Sequence, residues 1–108
     1  MDHQRIFDQE LSELKDMIMQ MGKAVEALIV NSVKALETMD EAMARKVIQD
    51  DEQVDQLELD IDEKCTQLIA LRQPEASDLR FLLTGMRITT DLERMGDHAE
   101  GIAKITLL

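Results

Sequence analysis

Apolar residues recur at alternating intervals of four and three through Phe7, Leu11, Leu14, Ile18, Met21, Val25 and Leu28. The same register continues through the small residues Ser32 and Ala35 to Met39. This is a heptad seam, the pattern of a coiled coil or of a long helix in a bundle. It predicts a helix over about 3–38, and some 35 residues at 1.5 Å each make a rod of roughly 50 Å. Met17, Met19, Ile29 and Val30 fall off the seam and widen the apolar surface. One neighbouring helix does not cover that width, so contact with two others or with a second subunit is expected. Gly22 interrupts only the outer face.

Asp40 is suited to cap a second helix that begins Glu41-Ala42-Met43-Ala44. The next seam reads Met43, Val47, position 50, Val54, Leu57, Ile61, Cys65 and Leu68, and position 50 is an aspartate. With Gln53 three residues on, Asp50 reads as a second cap of the capping-box kind. A helix over 41–71 with a kink near 50 is therefore expected, or a short helix over 41–48 followed by a long one over 51–71. Arg72-Gln73-Pro74 ends it, and Pro74-Glu75-Ala76 suits the first turn of a third helix over about 75–107. That helix opens broadly apolar at Leu79, Leu82, Leu83 and Met86, then narrows to the small residues Thr89, Gly96, Ala99 and Ala103. The expected fold is all-α, one domain over 1–108: an up-down three-helix bundle of long antiparallel helices. The apolar end Ile105-Thr106-Leu107-Leu108 predicts burial by another subunit or membership of something larger, and a homodimer satisfies both helix one and this end.

Composition supports the helical reading. The 108 residues are 44% apolar, but with eight Met, two Phe, no Trp and no Tyr; one Pro and four Gly leave little punctuation for a sheet. A net charge of −11 and a pI near 4.4 argue against direct nucleic-acid binding and against electrostatic attachment to anionic lipid. The acid surplus is compatible with metal binding, with a basic protein partner, or simply with solubility. Cys65 is alone, which excludes an intrachain disulfide, and its helical spacing to Ile61 and Leu68 predicts a buried thiol in a reducing compartment. Met-Asp-His-Gln-Arg opens no secretory segment, and no run approaches the roughly 18 apolar residues of a membrane span. A cytoplasmic location is expected.

Candidate chemistry concentrates in Asp91-Leu92-Glu93-Arg94-Met95-Gly96-Asp97-His98-Ala99. Glu93 and Asp97 stack on one helix face, where like charges cost about 0.2–0.5 kcal/mol, and Gly96 costs roughly 1 kcal/mol mid-helix relative to Ala. Residues 50–63 carry eight acids and no base, and Asp51, Asp55, Glu58 and Asp62 form one stripe beside the apolar seam. Stacked carboxylates on facing helices suit hard cations, which take oxygen ligands; a solvated acidic face, neutralised by Arg80, Arg87 and Arg94, is the plain alternative. No Glu-x-x-His accompanies the acids, which disfavours an oxygen-activating di-iron centre. One cysteine excludes a zinc–thiolate site, no EF-hand loop or glycine-rich phosphate cradle is present, and His98 with Cys65 makes a poor nucleophile pair.

Three stretches carry a family resemblance: Asp50-Asp51-Glu52-Gln53-Val54-Asp55, Arg72-Gln73-Pro74-Glu75-Ala76-Ser77-Asp78-Leu79-Arg80, and Asp91 to Ala99. Together they resemble the N-terminal repeat of the PhoU family, regulatory and accessory proteins of high-affinity bacterial phosphate uptake. Family members have two tandem three-helix bundles, and this chain has one repeat. The resemblance implies a negative regulator of phosphate signalling and transport with no enzymatic activity. It implies contact with the phosphate ABC-transporter ATPase and the phosphate-sensing histidine kinase. It further implies metal binding through Glu/Asp-x-x-x-Asp motifs, which fall on Asp51 with Asp55 and Glu93 with Asp97, and less firmly on Glu58 with Asp62. The implied metal is iron, as a multinuclear centre, or another hard ion such as Mg, Ca or Mn. Two readings from other classes stand beside it: a carboxylate-bridged metal protein for storage or redox, and a metal-free helical interaction module.

Overall fold

A computed structural model describes residues 3–108 as three helices: α1 (His3–Thr38), α2 (Glu41–Arg72) and α3 (Ala76–Thr106). Met1 and Asp2, part of the expected domain and of its polar opening, lie outside the described residues. Each helix packs against both others, in a rod of 55 × 20 × 16 Å. The 36 residues of α1 account for its length at about 1.5 Å per residue. Glu10 pairs with Arg72 and Glu13 with Lys64, so α1 and α2 are antiparallel. Ile18 meets Gly85 and Leu28 meets Gly96, so α1 and α3 run the same way. This is the up-down bundle that the heptads predict.

The core is the set of facing seams. Phe7, Leu14, Met21, Val25 and Leu28 of α1 meet Val47, Val54, Ile61, Cys65 and Leu68 of α2 and Leu82, Ala99 and Ala103 of α3. Each large side chain taken fully out of water contributes about 1.5–3 kcal/mol. Leu11 and Ile18 pack at the margin, while Met39 at the end of the expected seam is exposed and lies past the helix. Leu83, expected in the apolar start of α3, is exposed as well.

The connections follow local rules. Asp40 caps α2, its Oδ1 accepting from the Met43 N–H at 3.0 Å. Met39 and Gln73 take left-handed backbone conformations (φ 54° and 45°) that stop the helices before them. Of the two forms expected, the split near residue 50 is absent: α2 is one helix of 32 residues. Asp50 is interior to it and pairs with Lys46 at 3.1 Å one turn earlier.

That continuity corrects the register of α2. The buried positions are Ala44, Val47, Asp51, Val54, Ile61, Cys65 and Leu68. The residue that the seam carries in place of an apolar one is Asp51, not Asp50, and Asp51 is 2% exposed. Three other polar side chains are buried among the described residues, and each is satisfied locally. Ser32 donates to the Ile29 carbonyl (2.9 Å), Thr89 to that of Met86 (2.8 Å) and Thr106 to that of Ile102 (3.5 Å). Asp51 has no such arrangement.

Candidate metal centre

Antiparallel packing of α2 against α3 lines up two acidic stripes with the same spacing. On α2 they are Asp51, Asp55 and Glu58; on α3 they are Glu93, Asp97 and Glu100. Both follow an interval of four then three, which holds residues on one helix face. Running in opposite directions, they face each other: Asp51 contacts Glu100, Asp55 comes within 4.8 Å of Asp97, and Glu58 lies in reach of the fields of Asp97 and Glu93. One carboxylate oxygen from each of Asp51, Asp55 and Asp97 lies within 4.8 Å of the others. Glu93 stands in hydrogen-bonding contact with Asp97 on the rim of this trio. Asp62 is exposed a turn further along α2 and is not among the three.

The electrostatics are those of acids crowded without enough cations. Burial, then contact with Glu100, then the fields of Asp55, Glu100 and Asp97 push the Asp51 carboxyl up to about 7. Glu93 is likewise pushed up to about 7, chiefly by its hydrogen-bonding contact with Asp97, then by burial. Asp55 and Glu58 are raised, burial being the first cause and the neighbouring carboxylates the next. Glu100 alone is lowered, because the Lys104 ammonium is 2.7 Å from its Oε1. Among the described residues Arg80, Arg87 and Arg94 make no ion pair with the acidic run; all three are exposed on the outer face of α3. The plain alternative, neutralisation of the stripe by these arginines, finds no direct ion pair among the described residues.

Gly96 shapes the floor of this site. A Cβ there would come within 2.9 Å of Asp51 Oδ1, 3.6 Å of Val54 and 3.9 Å of Leu28. The glycine that disfavours the helix thus makes room for the Asp51 carboxylate at the crossing. That Oδ1 is buried without a hydrogen-bond partner. An unsatisfied buried polar atom costs about 1–3 kcal/mol, more when charged, and a cation is the partner that a crowd of oxygen ligands lacks. The residues present therefore fit a hard metal ion. Asp51, Asp55 and Asp97 would hold it, with Glu93 and Glu58 beside them. Once bound, it would supply positive charge that neutralises the facing stripes.

The sequence pattern puts Glu93 and Asp97 beside the small-residue seam of α3, and Asp55 in the acidic stripe beside the α2 seam. It misplaces Asp51 onto the flank of the seam, and it passes over Glu100. A signal for Glu100 exists in the matched four-then-three spacing of the two stripes. His98 is exposed and Cys65 fully buried, its thiol pushed up to about 11 chiefly by burial, so the two make no nucleophile pair.

Known proteins share both the sequence and the shape of this bundle. A protein of Aquifex aeolicus (strain VF5), named as a phosphate-specific transport system accessory protein PhoU homolog, is 43% identical over 99 residues, 92% of this chain and 45% of that protein. One of Rhizobium meliloti (strain 1021) with the same description is 47% identical over 98 residues, 91% of this chain and 41% of its own length. The crystal structure of PhoU from Pseudomonas aeruginosa superposes with a TM-score of 0.90 at 38% identity, over 93% of this chain and 48% of that one. The phosphate transport system regulatory protein PhoU from Streptococcus pneumoniae gives 0.88 at 40% identity, covering 94% and 48%. The chain spans somewhat under half the length of the curated relatives it matches. Residues 18–106 match the PhoU domain, and the chain belongs to the PhoU family.

Proposed function

We propose that this protein is a regulatory, accessory component of bacterial phosphate uptake that acts by binding and not by catalysis, as a negative regulator of phosphate signalling and transport. The observation that carries the reading is the likeness to relatives named as phosphate-specific transport accessory proteins, which extends over more than nine-tenths of the chain. The partners proposed are the ATPase of a phosphate ABC transporter and a phosphate-sensing histidine kinase, which places the protein in the cytoplasm. Among the described residues, no helix is long and apolar enough to cross a membrane. The test is complementation. Expressed in a bacterium lacking its own phosphate-transport accessory protein, the chain should restore repression of a phosphate-starvation reporter in phosphate-rich medium. A reporter that stays fully on, with the chain present and folded, would refute the reading.

A homodimer is part of the proposal. The α1–α3 groove exposes Met19 on one side and Phe81 and Ile88 on the other, and α1 continues with exposed Val30 and Val33 towards its C-terminal end. Scattered apolar residues need no explanation, but a row along a groove marks an interaction surface. Sedimentation equilibrium at micromolar concentration should give about twice the chain mass. A partner-linked fold also loses stability on dilution, so a monomer whose unfolding is unchanged across a hundredfold dilution would overturn this.

The acidic centre supports binding of a hard metal, iron foremost, with Mg, Ca or Mn as substitutes; the orphaned Asp51 oxygen favours it. Asp51, Asp55, Glu93 and Asp97 are the proposed ligands, with Glu58 in support and Asp62 a weaker contributor. Elemental analysis of protein purified without chelator or metal-affinity resin should find metal in the parent. The double variant Glu93→Gln/Asp97→Asn should hold much less. Equal metal in both would remove those two residues from the site.

A further inference from the structure

Glu100 is the one member of the acidic ladder that touches both sides of the problem. Its carboxylate is in hydrogen-bonding contact with buried Asp51, and its Oε1 is 2.7 Å from the Lys104 Nζ one turn on. The Glu100 side chain is 27% exposed and that of Lys104 is 63% exposed, so the pair sits at the mouth of the centre, with the ammonium on the solvent side. The other five carboxylates of the ladder have no ion pair among the described residues. The Lys104 ammonium is thus the single positive group the protein itself supplies there. Inside, the adjoining Asp51 Oδ1 remains without a partner, so the tethered ammonium satisfies the mouth of the site and not its floor.

We propose that Glu100 is a further metal-binding carboxylate of this centre and that Lys104 is its tethered counter-cation, which is displaced when a divalent or trivalent ion enters. The proposal rests on the metal reading above and deepens it. An ammonium carries one charge and no vacant coordination position, and it donates hydrogen bonds only. A hard metal ion accepts several carboxylate oxygens at once at about 2.0–2.6 Å. It therefore reaches the Asp51 oxygens that Lys104 leaves unmatched. Exchange of one for the other frees the Lys104 side chain into solvent at the surface of α3. It also frees Glu100 to turn inward beside Asp51. Metal binding then changes the charge pattern of the outer α2–α3 surface without moving a helix. Lys104 is a competitor held at fixed concentration by the chain, and it lowers the apparent affinity for the metal.

The test is a double-mutant cycle read by calorimetry, with Mn2+ in air and ferrous iron under nitrogen as probes. The chains used are the parent chain over residues 1–108, Lys104→Gln, Lys104→Arg, Glu100→Gln, and Lys104→Gln/Glu100→Gln. Removing the tethered cation should tighten metal binding about two- to fivefold, the size expected of an exposed ion pair. Glu100→Gln should weaken binding, and in that background Lys104→Gln should bring no gain. Lys104→Arg, which keeps the charge, should bind as the parent does. All variants should melt within a few degrees of the parent in chelator, which separates binding from folding. An equal gain from Lys104→Gln in both backgrounds, or none in either, would reduce the pair to an ordinary surface contact and overturn the proposal. Unchanged affinity in Glu100→Gln would also overturn it. A parent that binds neither metal would fail the metal reading itself, an outcome distinct from a parent that binds and variants that do not differ.

Discussion

In chelator, urea denaturation should find the protein more stable near about pH 5.5 than near about pH 8, and saturating metal should invert that order. The cause is the pair of carboxyls raised to about 7, Asp51 from 3.8 and Glu93 from 4.5. Between the unfolded and folded values the native state binds more protons than the unfolded chain, so stability falls as pH rises through that window. Below about pH 4 the effect is absent, and above about pH 7 the penalty is complete. A tenfold difference in proton affinity between the folded and unfolded chain corresponds to about 1.4 kcal/mol. The fully buried Asp51 is therefore expected to give a loss on the order of a few kcal/mol. Asp51→Asn should remove a large part of the slope, leaving the part that Glu93 contributes, and exceed the parent in stability at the alkaline end. Metal reverses the sign because its ligands must be deprotonated: its stabilisation grows with pH and fades as the carboxylates titrate. A parent whose metal-free stability is flat or rising across the window, or an Asp51→Asn variant with the parent's slope, would contradict the assignment.

Gly96→Leu should be among the most damaging single substitutions in the chain. The side chain would enter the crossing where a Cβ alone lies 2.9 Å from Asp51 Oδ1 and within van der Waals range of Val54 and Leu28. Overpacking of this kind costs about 1–3 kcal/mol, occasionally more, against roughly 1 kcal/mol of helix propensity gained. Gly96→Ala isolates the first atom of that clash. It should change stability little, because the propensity gain offsets the contact, yet it should weaken metal binding by turning the Asp51 carboxylate. Gly101→Ala is the control: nothing lies within 4 Å of a Cβ there, so the propensity gain of about 1 kcal/mol should appear in full. Urea melts of the three variants, with and without metal, measure all of this. A Gly96→Leu protein as stable as the parent would place residue 96 away from the α2 contact.

Hydrophobicity guides the eye correctly along one helix and misleads it along the next. In α1 the seam is apolar or small at every step, and the helix and its buried face follow from it. In α2 the buried register passes through one acid, Asp51, with the half-buried Glu58 a heptad further on, and a reading that follows apolar residues slips instead onto Met43 and Leu57. Asp50 then looks like a break in the seam and invites a cap, although Lys46 supports it within an unbroken helix. Asp51, one position on, is the residue the core encloses. The centre is hard to read for the same reason that it is chemically competent: Asp51 occupies a position where a stable core would place an apolar side chain, while its partners line the exposed edge of the crevice. Gly96 and the Glu93–Asp97 pair are legible because they break local propensity within a single helix. The Asp51–Glu100 contact joins residues 49 apart in the chain, and it emerges only when α2 and α3 are laid against each other.

An odd number of helices also has a mechanical consequence. Because α1 and α3 run the same way, His3 and Leu108 leave the 55 Å rod at opposite ends. Tension applied between them does not peel one helix from its neighbours a turn at a time. It slides the helices along their length and loads the whole of each seam at once. Rupture under such a load is governed by the unfolding rate. The acidic ladder between α2 and α3 lies across the sliding direction, so a metal ion bound there would act as a rivet. Optical-trap extension from the two ends should therefore show one high-force event, shifted upward by metal and back down by chelator.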